Sequence, residues 1–116
     1  AIVKSLVFKL EMRFVLVLIA GDHKCLEAAL PGVFGQAGNV TRPNANEVKE
    51  ITGFTIGGVA PIGMKEQLPT IIDASFRRFP VIYAAAGHPH CVFSITPDEL
   101  ARSTAAIVSD KISEPI

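Results

Sequence analysis

A run of apolar side chains at residues 14–20 constrains the fold of this chain more than any other feature of the sequence. A strand with one solvated face alternates apolar and polar residues, whereas a strand that is apolar throughout is buried on both faces. The run is too short to cross a bilayer as a helix. We therefore expect a central strand in a layered domain.

Other strands surround this run in the sequence. Residues 2–9 predict a strand that residues 11–13 join to the apolar strand as a hairpin. Further strands are expected at residues 70–73, 81–86 and 91–95, and Val108 begins a last extended piece. Ser75 to Phe79 predict a short turn of helix or a loop, and residues 31–43 a loop with one brief strand.

Three helices are expected from capping signals. Asp22 caps a short helix that ends at Leu30, before Pro31-Gly32. Asn44 or Asn46 caps a helix through Thr52, which Gly53 ends in a left-handed conformation. The third helix has Thr96 at its cap, Pro97 in its first turn and Glu99 completing a capping box. Together, strands and helices predict an α/β or α+β layered domain with a mixed β-sheet.

Composition limits the classes of function. The 116 residues suffice for a single domain, spanning 1–116, and 49% of them are hydrophobic. Eleven basic and eleven acidic residues cancel, so charge alone cannot hold a nucleic acid, although a local pocket can hold its end. Cys25 and Cys91 have no metal-type spacing, which favours free thiols in a reducing, cytoplasmic environment.

Residues 52–63 contain four glycines and Pro61. Gly57-Gly58 leaves main-chain N–H groups unshielded by a Cβ atom, which suits a loop that approaches a ligand closely. Pro61 and Gly63 then fix how the chain leaves the loop. The loop is either a wall of a binding site or a tight crossover, and spacing alone favours the crossover. It is no phosphate-binding loop, because Gly-Lys-Ser/Thr is absent.

Lys4 occupies an unusual position in its strand. Alternation places it on the same face as Ile2, Leu6 and Phe8. One interpretation is a strand lysine whose stem covers apolar surface while its ammonium reaches water. The other is a cation held at the mouth of a pocket, where it receives an anion or a carbonyl oxygen.

The remaining chemistry-bearing residues give weaker signals. His88 and His90 flank Pro89 in a loop after a strand, but no third ligand is suitably spaced, so we expect no metal and no cofactor. Asp73 ends a strand, where carboxylates commonly bond to the next turn, and it is also kept as a candidate substrate contact. Cys91 lies between strand residues, which favours a thiol in the core over a nucleophile.

Seven segments, in order, resemble the YbaK/EbsC family, which shares its fold with the editing insertion of bacterial prolyl-tRNA synthetases. They are residues 4–8, 20–23, 47–54, 56–63, 72–73, 85–93 and 96–100. The resemblance implies a mixed, partly barrel-like sheet flanked by helices. It also implies a further helix and strand upstream of the lysine, which this sequence does not contain. A second departure is Thr104-Ala105-Ala106, where relatives often have Thr-Gly-Ala.

The resemblance implies a trans-editing deacylase that frees tRNA from a wrongly attached small amino acid, for example on tRNA for proline. Lys4 matches the active-site lysine of the family, Gly57-Gly58 the pocket wall, and Gly87-His88-Pro89-His90 a second pocket loop. The expected partners are the acceptor end of aminoacyl-tRNA and an aminoacyl-tRNA synthetase, with no membrane. The alternative is a module of the same fold that binds an amino acid, a nucleotide or a synthetase without catalysis.

An aminoacyl ester is already activated, so its hydrolysis needs a placed water and a stabilised oxyanion rather than a strong nucleophile. Main-chain N–H groups at Gly57, Gly58 and Val59 are the expected oxyanion donors. Lys4 is expected to anchor the terminal phosphate or the carbonyl of the substrate.

Overall fold

The computed structural model describes residues 2–35, 38–64, 66–88 and 91–116, and for His88 it describes the main chain only. Short 3-10 helices lie at Glu27–Ala29 and Ala74–Arg78. In chain order, the strands and α-helices of the described residues are β1 (Val3–Leu10), β2 (Arg13–Ala20), β3 (His23–Cys25), α1 (Leu30–Val33), β4 (Val40–Thr41), α2 (Ala45–Thr52), β5 (Thr70–Asp73), β6 (Ile82–His88), β7 (Cys91–Ile95), α3 (Pro97–Thr104), β8 (Ile107–Ser109) and β9 (Ser113–Pro115).

A five-stranded sheet in the order β4-β1-β2-β5-β8 forms the centre of the domain. β1 is antiparallel to β2 and β4, whereas β2-β5 and β5-β8 are parallel pairs. The sheet is therefore mixed, as the sequence predicts, and the fold is α+β. β3 pairs with β9 and β6 with β7 in two separate ladders, so the described strands do not close into a barrel.

β2 is buried on both faces, which confirms the interpretation of its apolar run. Side chains from Val15 to Ala20 are at most 1% exposed. Alternate residues of the β1–β2 hairpin point into two core clusters, one on each side of the sheet. Val3 and Val7 belong to the cluster that contains Leu16 and Leu18, whereas Leu6 and Phe8 belong to the cluster that contains Val17.

The second and third predicted helices form where their caps indicate. At α2 the side chain of Asn44 accepts a hydrogen bond from the Glu47 amide at 2.8 Å, and Glu47 accepts one from the Asn44 amide at 3.1 Å. Gly53 ends this helix with φ +84°. At α3 the Thr96 hydroxyl accepts a hydrogen bond from the Glu99 amide at 3.2 Å.

The prediction of a helix from Asp22 to Leu30 is wrong. His23–Cys25 is strand β3, because Ser113–Pro115 at the other end of the chain pairs with it. α1 begins only at Leu30, and Pro31 lies in its first turn instead of ending it. Proline is tolerated there because a first-turn N–H has no partner within the helix. No helix of the described residues is long and apolar enough to cross a bilayer.

Candidate functional site

A cavity of about 440 Å³ lies along the outer edge of β1. β4 pairs with this edge only at Lys9 and Leu10, and at its other end a single bridge joins Ile2 to Tyr83. Between these two contacts, β1 has no strand partner on this side among the described residues. The residues that line the cavity are Ile2, Val3, Lys4, Ser5, Leu6, Val7, Phe8, Arg42, Pro43, Val48, Ile56, Gly57, Val59 and Ala85.

Because an edge strand contributes side chains from both faces, the cavity has two different sides. Lys4 shares its face of β1 with Leu6 and Phe8, as the sequence predicts. The other face carries Ser5 between valines, and the Ser5 hydroxyl is buried with no hydrogen-bond partner among the described residues. The cavity is therefore cationic on one side of β1 and mainly apolar on the other.

Lys4 is partly buried, and its ammonium donates a hydrogen bond to the main-chain oxygen of His23. An ammonium has three N–H donors, so two remain for other acceptors. Lys4 lines the same cavity as Gly57, although the two belong to elements far apart in sequence.

Arg42 is the second cation of the cavity lining, and no local pattern in the sequence predicts its role there. Its guanidinium lies 5.3 Å from the centre of the Phe8 ring and 3.2 Å from a carboxylate oxygen of Glu27. No acidic residue lines the cavity in the described part of the chain. The lining therefore favours an anionic or electron-rich ligand.

The glycine loop forms a tight turn. The Gly58 amide donates to the Thr55 oxygen at 2.9 Å, and Gly57 takes φ +86°, the conformation that favours glycine at the third position of a type II turn. The Gly58 amide already donates within the turn, so it is not available as the oxyanion donor expected from the sequence. The Gly57 and Val59 amides have no acceptor among the described residues, and both residues line the cavity. Gly58 and Pro61 are buried outside the lining.

Asp73 is 3% exposed and lies outside the cavity lining. Its carboxylate accepts hydrogen bonds from the Ser75 amide at 3.0 Å, the Ser75 hydroxyl at 2.8 Å and the Ser113 hydroxyl. Its position matches the first of the two interpretations, a strand-end carboxylate that bonds to the next turn. The His23 imidazole is a further neighbour, with Nδ1 3.6 Å from Asp73 Oδ2.

The second predicted pocket loop is described only in part. Gly87 takes φ +91°, and a Cβ atom there would lie 2.9 Å from the Phe54 ring. Ala85, in the same strand, lines the cavity. The side chain of His88, together with Pro89 and His90, falls outside the described residues, so their role as substrate contacts stays a prediction. Among the described residues, no three His, Cys, Asp or Glu side chains cluster as metal ligands do.

The two free cysteines lie in different surroundings. Cys91 is exposed, which corrects the expectation of a core thiol: β6-β7 forms its own ladder, and this side of it faces solvent. Burial, followed by the nearby Glu27 carboxylate, raises the pKa of the Cys25 thiol to about 11. A thiol with that pKa is protonated and unreactive near neutral pH.

An ion pair holds the turn between β2 and β3. The Arg78 guanidinium donates to both Asp22 oxygens, at 3.1 and 3.3 Å. Hydrogen bonding from Arg78 lowers the pKa of the Asp22 carboxyl, and the same bond raises the pKa of the guanidinium. The pair is exposed, and its Asp22 directly precedes His23, whose carbonyl accepts the Lys4 hydrogen bond.

An α+β domain with a mixed sheet is the fold class that the sequence resemblance implies, and in it Lys4 and Gly57 line one cavity. The chain belongs to the aminoacyl-tRNA editing domain family, which it matches over residues 1–103.

Relatives of known sequence and structure agree with this assignment. The chain is 36% identical over 101 residues to YwhH of Bacillus subtilis, and the matched region is 86% of this chain and 63% of YwhH. It is 34% identical over 71 residues to proline–tRNA ligase of Bacillus cytotoxicus, which is 61% of this chain and 12% of the ligase. A crystal structure of a candidate trans-editing enzyme for prolyl-tRNA synthetase superposes with a TM-score of 0.90 at 38% identity, over 97% of this chain and 70% of that one. The chain spans less than two thirds of the length of YwhH and of the ligase.

Proposed function

We propose that this chain hydrolyses the ester bond between a small amino acid and a tRNA to which it was wrongly attached, acting in trans. The observation that carries the proposal is that Lys4 and Gly57 line one cavity whose described lining contains two cations and no carboxylate. Membership of the editing-domain family and the likeness to a candidate trans-editing enzyme support the same reaction.

The cavity residues divide the work of ester hydrolysis. The Lys4 ammonium keeps two free donors, which bind the terminal phosphate or the ester carbonyl of the substrate. The Gly57 and Val59 amides stabilise the oxyanion that develops when water attacks the carbonyl. The vicinal ribose hydroxyl of the substrate orients that water, so the protein needs no triad of its own.

The apolar side of the cavity selects the amino acid. Val48 and Val59 are buried, and together with Val3 and Val7 they wall the space that the amino-acid side chain enters. Each additional methylene on the substrate changes binding by only about 1–3 kcal/mol. Size exclusion by these valines therefore separates small from large side chains more sharply than it separates two small ones.

The overall charge of zero limits how tRNA binds. With no polybasic surface expected from composition, most of the tRNA contributes little, and the acceptor end is recognised in the cavity by Lys4 and Arg42. Affinity for intact tRNA should be weak and should depend less on salt than that of a basic tRNA-binding protein.

Incubation with a panel of mischarged tRNAs tests the proposal, with wild type compared with Lys4→Ala. Wild type should release a small amino acid, and Lys4→Ala should lose on the order of 10²-fold or more in kcat/KM. Lys24→Ala is the matched control, since Lys24 is exposed in an ion pair with Glu114 and lies outside the cavity lining.

Absence of ester cleavage on every tRNA in the panel would end the proposal and favour a binding module. Cleavage that survives Lys4→Ala unchanged would keep the reaction but remove Lys4 from it. Cleavage by wild type should also be insensitive to chelators, because the proposed reaction uses no metal ion.

A further inference from the structure

A partly buried hydrogen-bond network connects the carboxyl-terminal strand to the proposed active-site lysine. It runs from Asp73 through the Ser113 hydroxyl to the His23 imidazole, whose own main-chain oxygen receives the Lys4 ammonium. We propose that Ser113 and Asp73 act as positioning residues for Lys4, through His23. This inference rests on the proposed function for its catalytic meaning, but not for its geometry.

The directions of the hydrogen bonds follow from the groups involved. An ionised carboxylate can only accept, so the single hydroxyl proton of Ser113 goes to Asp73. The Ser113 oxygen must then accept from His23 Nδ1, 2.9 Å away. The network therefore requires the proton on Nδ1 and orients the imidazole of His23, a residue that is 8% exposed.

The main chain of His23 is held as firmly as its ring. β3 pairs with β9, the Leu26 amide donates to the Ile112 oxygen at 2.7 Å, and the Ile116 amide donates to the Asp22 oxygen at 3.1 Å. Ile112 is fully buried in the core cluster on the Lys4 side of the sheet. The oxygen that receives Lys4 thus belongs to a segment whose position depends on β9.

Ser113 lies beyond residues 1–103, over which the chain matches its family. A long, flexible lysine gains catalytic value only when its ammonium is held in one place, and displacement by about 1 Å can cost 10²-fold in rate. Through Ser113, part of that restraint comes from outside the range of the family match.

The test compares Ser113→Ala with Ser113→Thr, which keeps the hydroxyl. Glu114→Gln is the matched control, because Glu114 lies in the same strand but pairs only with exposed Lys24 in the described structure. Two kinds of measurement are made. Kinetics gives kcat and KM on a mischarged tRNA that wild type cleaves. NMR of protein labelled with ¹⁵N at lysine Nζ gives the exchange rate of the Lys4 ammonium protons. Lys4→Arg assigns the signal.

Ser113→Ala should lower kcat about tenfold with KM changed less than about twofold, and should speed ammonium exchange by a similar factor. Ser113→Thr and Glu114→Gln should resemble wild type in both measurements. If Ser113→Ala does not fold, Ser113→Val, which matches the shape of threonine without its hydroxyl, takes its place beside Ser113→Thr.

Wild-type exchange and wild-type kcat in the folded hydroxyl-less variant would overturn the proposal. Equal losses in Ser113→Thr and Ser113→Ala would overturn it too, because the hydroxyl would then not be the cause. If no tRNA is cleaved at all, the proposed function fails, while faster exchange in Ser113→Ala alone still supports the positioning of Lys4.

Discussion

The Gly58 amide donates a hydrogen bond to the Thr55 oxygen at 2.9 Å, and this bond closes the turn that presents Gly57 to the cavity. The main chain at Gly57 is therefore held by its neighbours. A glycine pair that could serve as two donors instead divides its roles, one residue closing the turn and the other facing the cavity.

Gly57→Ala should destabilise the protein by about 1 kcal/mol. A Cβ atom at Gly57 meets nothing within 4 Å, so the cost comes from φ +86° and not from a clash. Urea unfolding measures it. Gly32→Ala is the control: Gly32 lies in α1, also with open space, and alanine there should stabilise by about 0.5–1 kcal/mol. Equal effects at the two positions would contradict this reasoning.

Ala105→Gly should stabilise the protein by about 1 kcal/mol. Ala105 follows α3 with φ +54° and ψ +37°, a left-handed conformation that glycine adopts without a Cβ penalty. The family resemblance of the sequence likewise implies glycine at this position. Ala101→Gly, inside α3, should instead destabilise by about 1 kcal/mol. Thermal or urea unfolding of the two variants should show opposite signs.

Ser5→Ala should raise the free energy of unfolding by about 1 kcal/mol. The Ser5 hydroxyl is buried without a partner among the described residues, and an unsatisfied buried hydroxyl carries an uncompensated desolvation cost. The exposed Ser94, in β7, provides the control, and Ser94→Ala should change stability little. A loss of stability in Ser5→Ala would show that the hydroxyl has a partner in solution.

The two thiols should differ sharply in alkylation. At pH 8, iodoacetamide should modify exposed Cys91 and leave Cys25, whose pKa burial raises to about 11, unmodified. Mass spectrometry of the digested protein distinguishes the two sites. Modification of both thiols at equal rates would contradict the raised pKa and partial burial of Cys25.

The same thiol predicts a dependence of stability on alkaline pH. The folded pKa of Cys25 is about 11, above the value of 9.0 for an unperturbed thiol, so the folded state retains the proton longer. Its contribution is complete below pH 9 and is lost as pH rises through 11. Wild type should therefore lose stability relative to Cys25→Ala over this interval, with other titrating groups cancelling in the comparison.

Local signals predicted much of this structure. Asn44, Glu47 and Gly53 bound α2 because their side chains and conformations act within one helical turn. β2 could be predicted because an uninterrupted run of apolar residues indicates a strand that is buried on both faces. The polar and apolar alternation of β1 likewise placed Lys4 on the correct face.

The missed features depend on contacts between distant parts of the chain. His23–Cys25 forms a strand only because Ser113–Pro115 pairs with it. Arg42 reaches the cavity through a loop that carries no periodicity, and it packs on Phe8 from outside the sheet. The exposure of Cys91 reflects how the β6-β7 ladder sits beside the main sheet, which strand composition does not encode.

The gap beside β1 lies between its short pairing with β4 and its single bridge at Ile2. This gap influences how the substrate specificity of the site can change in evolution. An unpaired strand edge presents peptide groups whose hydrogen-bonding capacity is the same for any residue except proline. Amino-acid replacements along β1 can therefore reshape what fits the cavity while the edge keeps the same row of donors and acceptors. Such a site can change its substrate specificity in evolution while it keeps the main-chain hydrogen-bonding groups of β1.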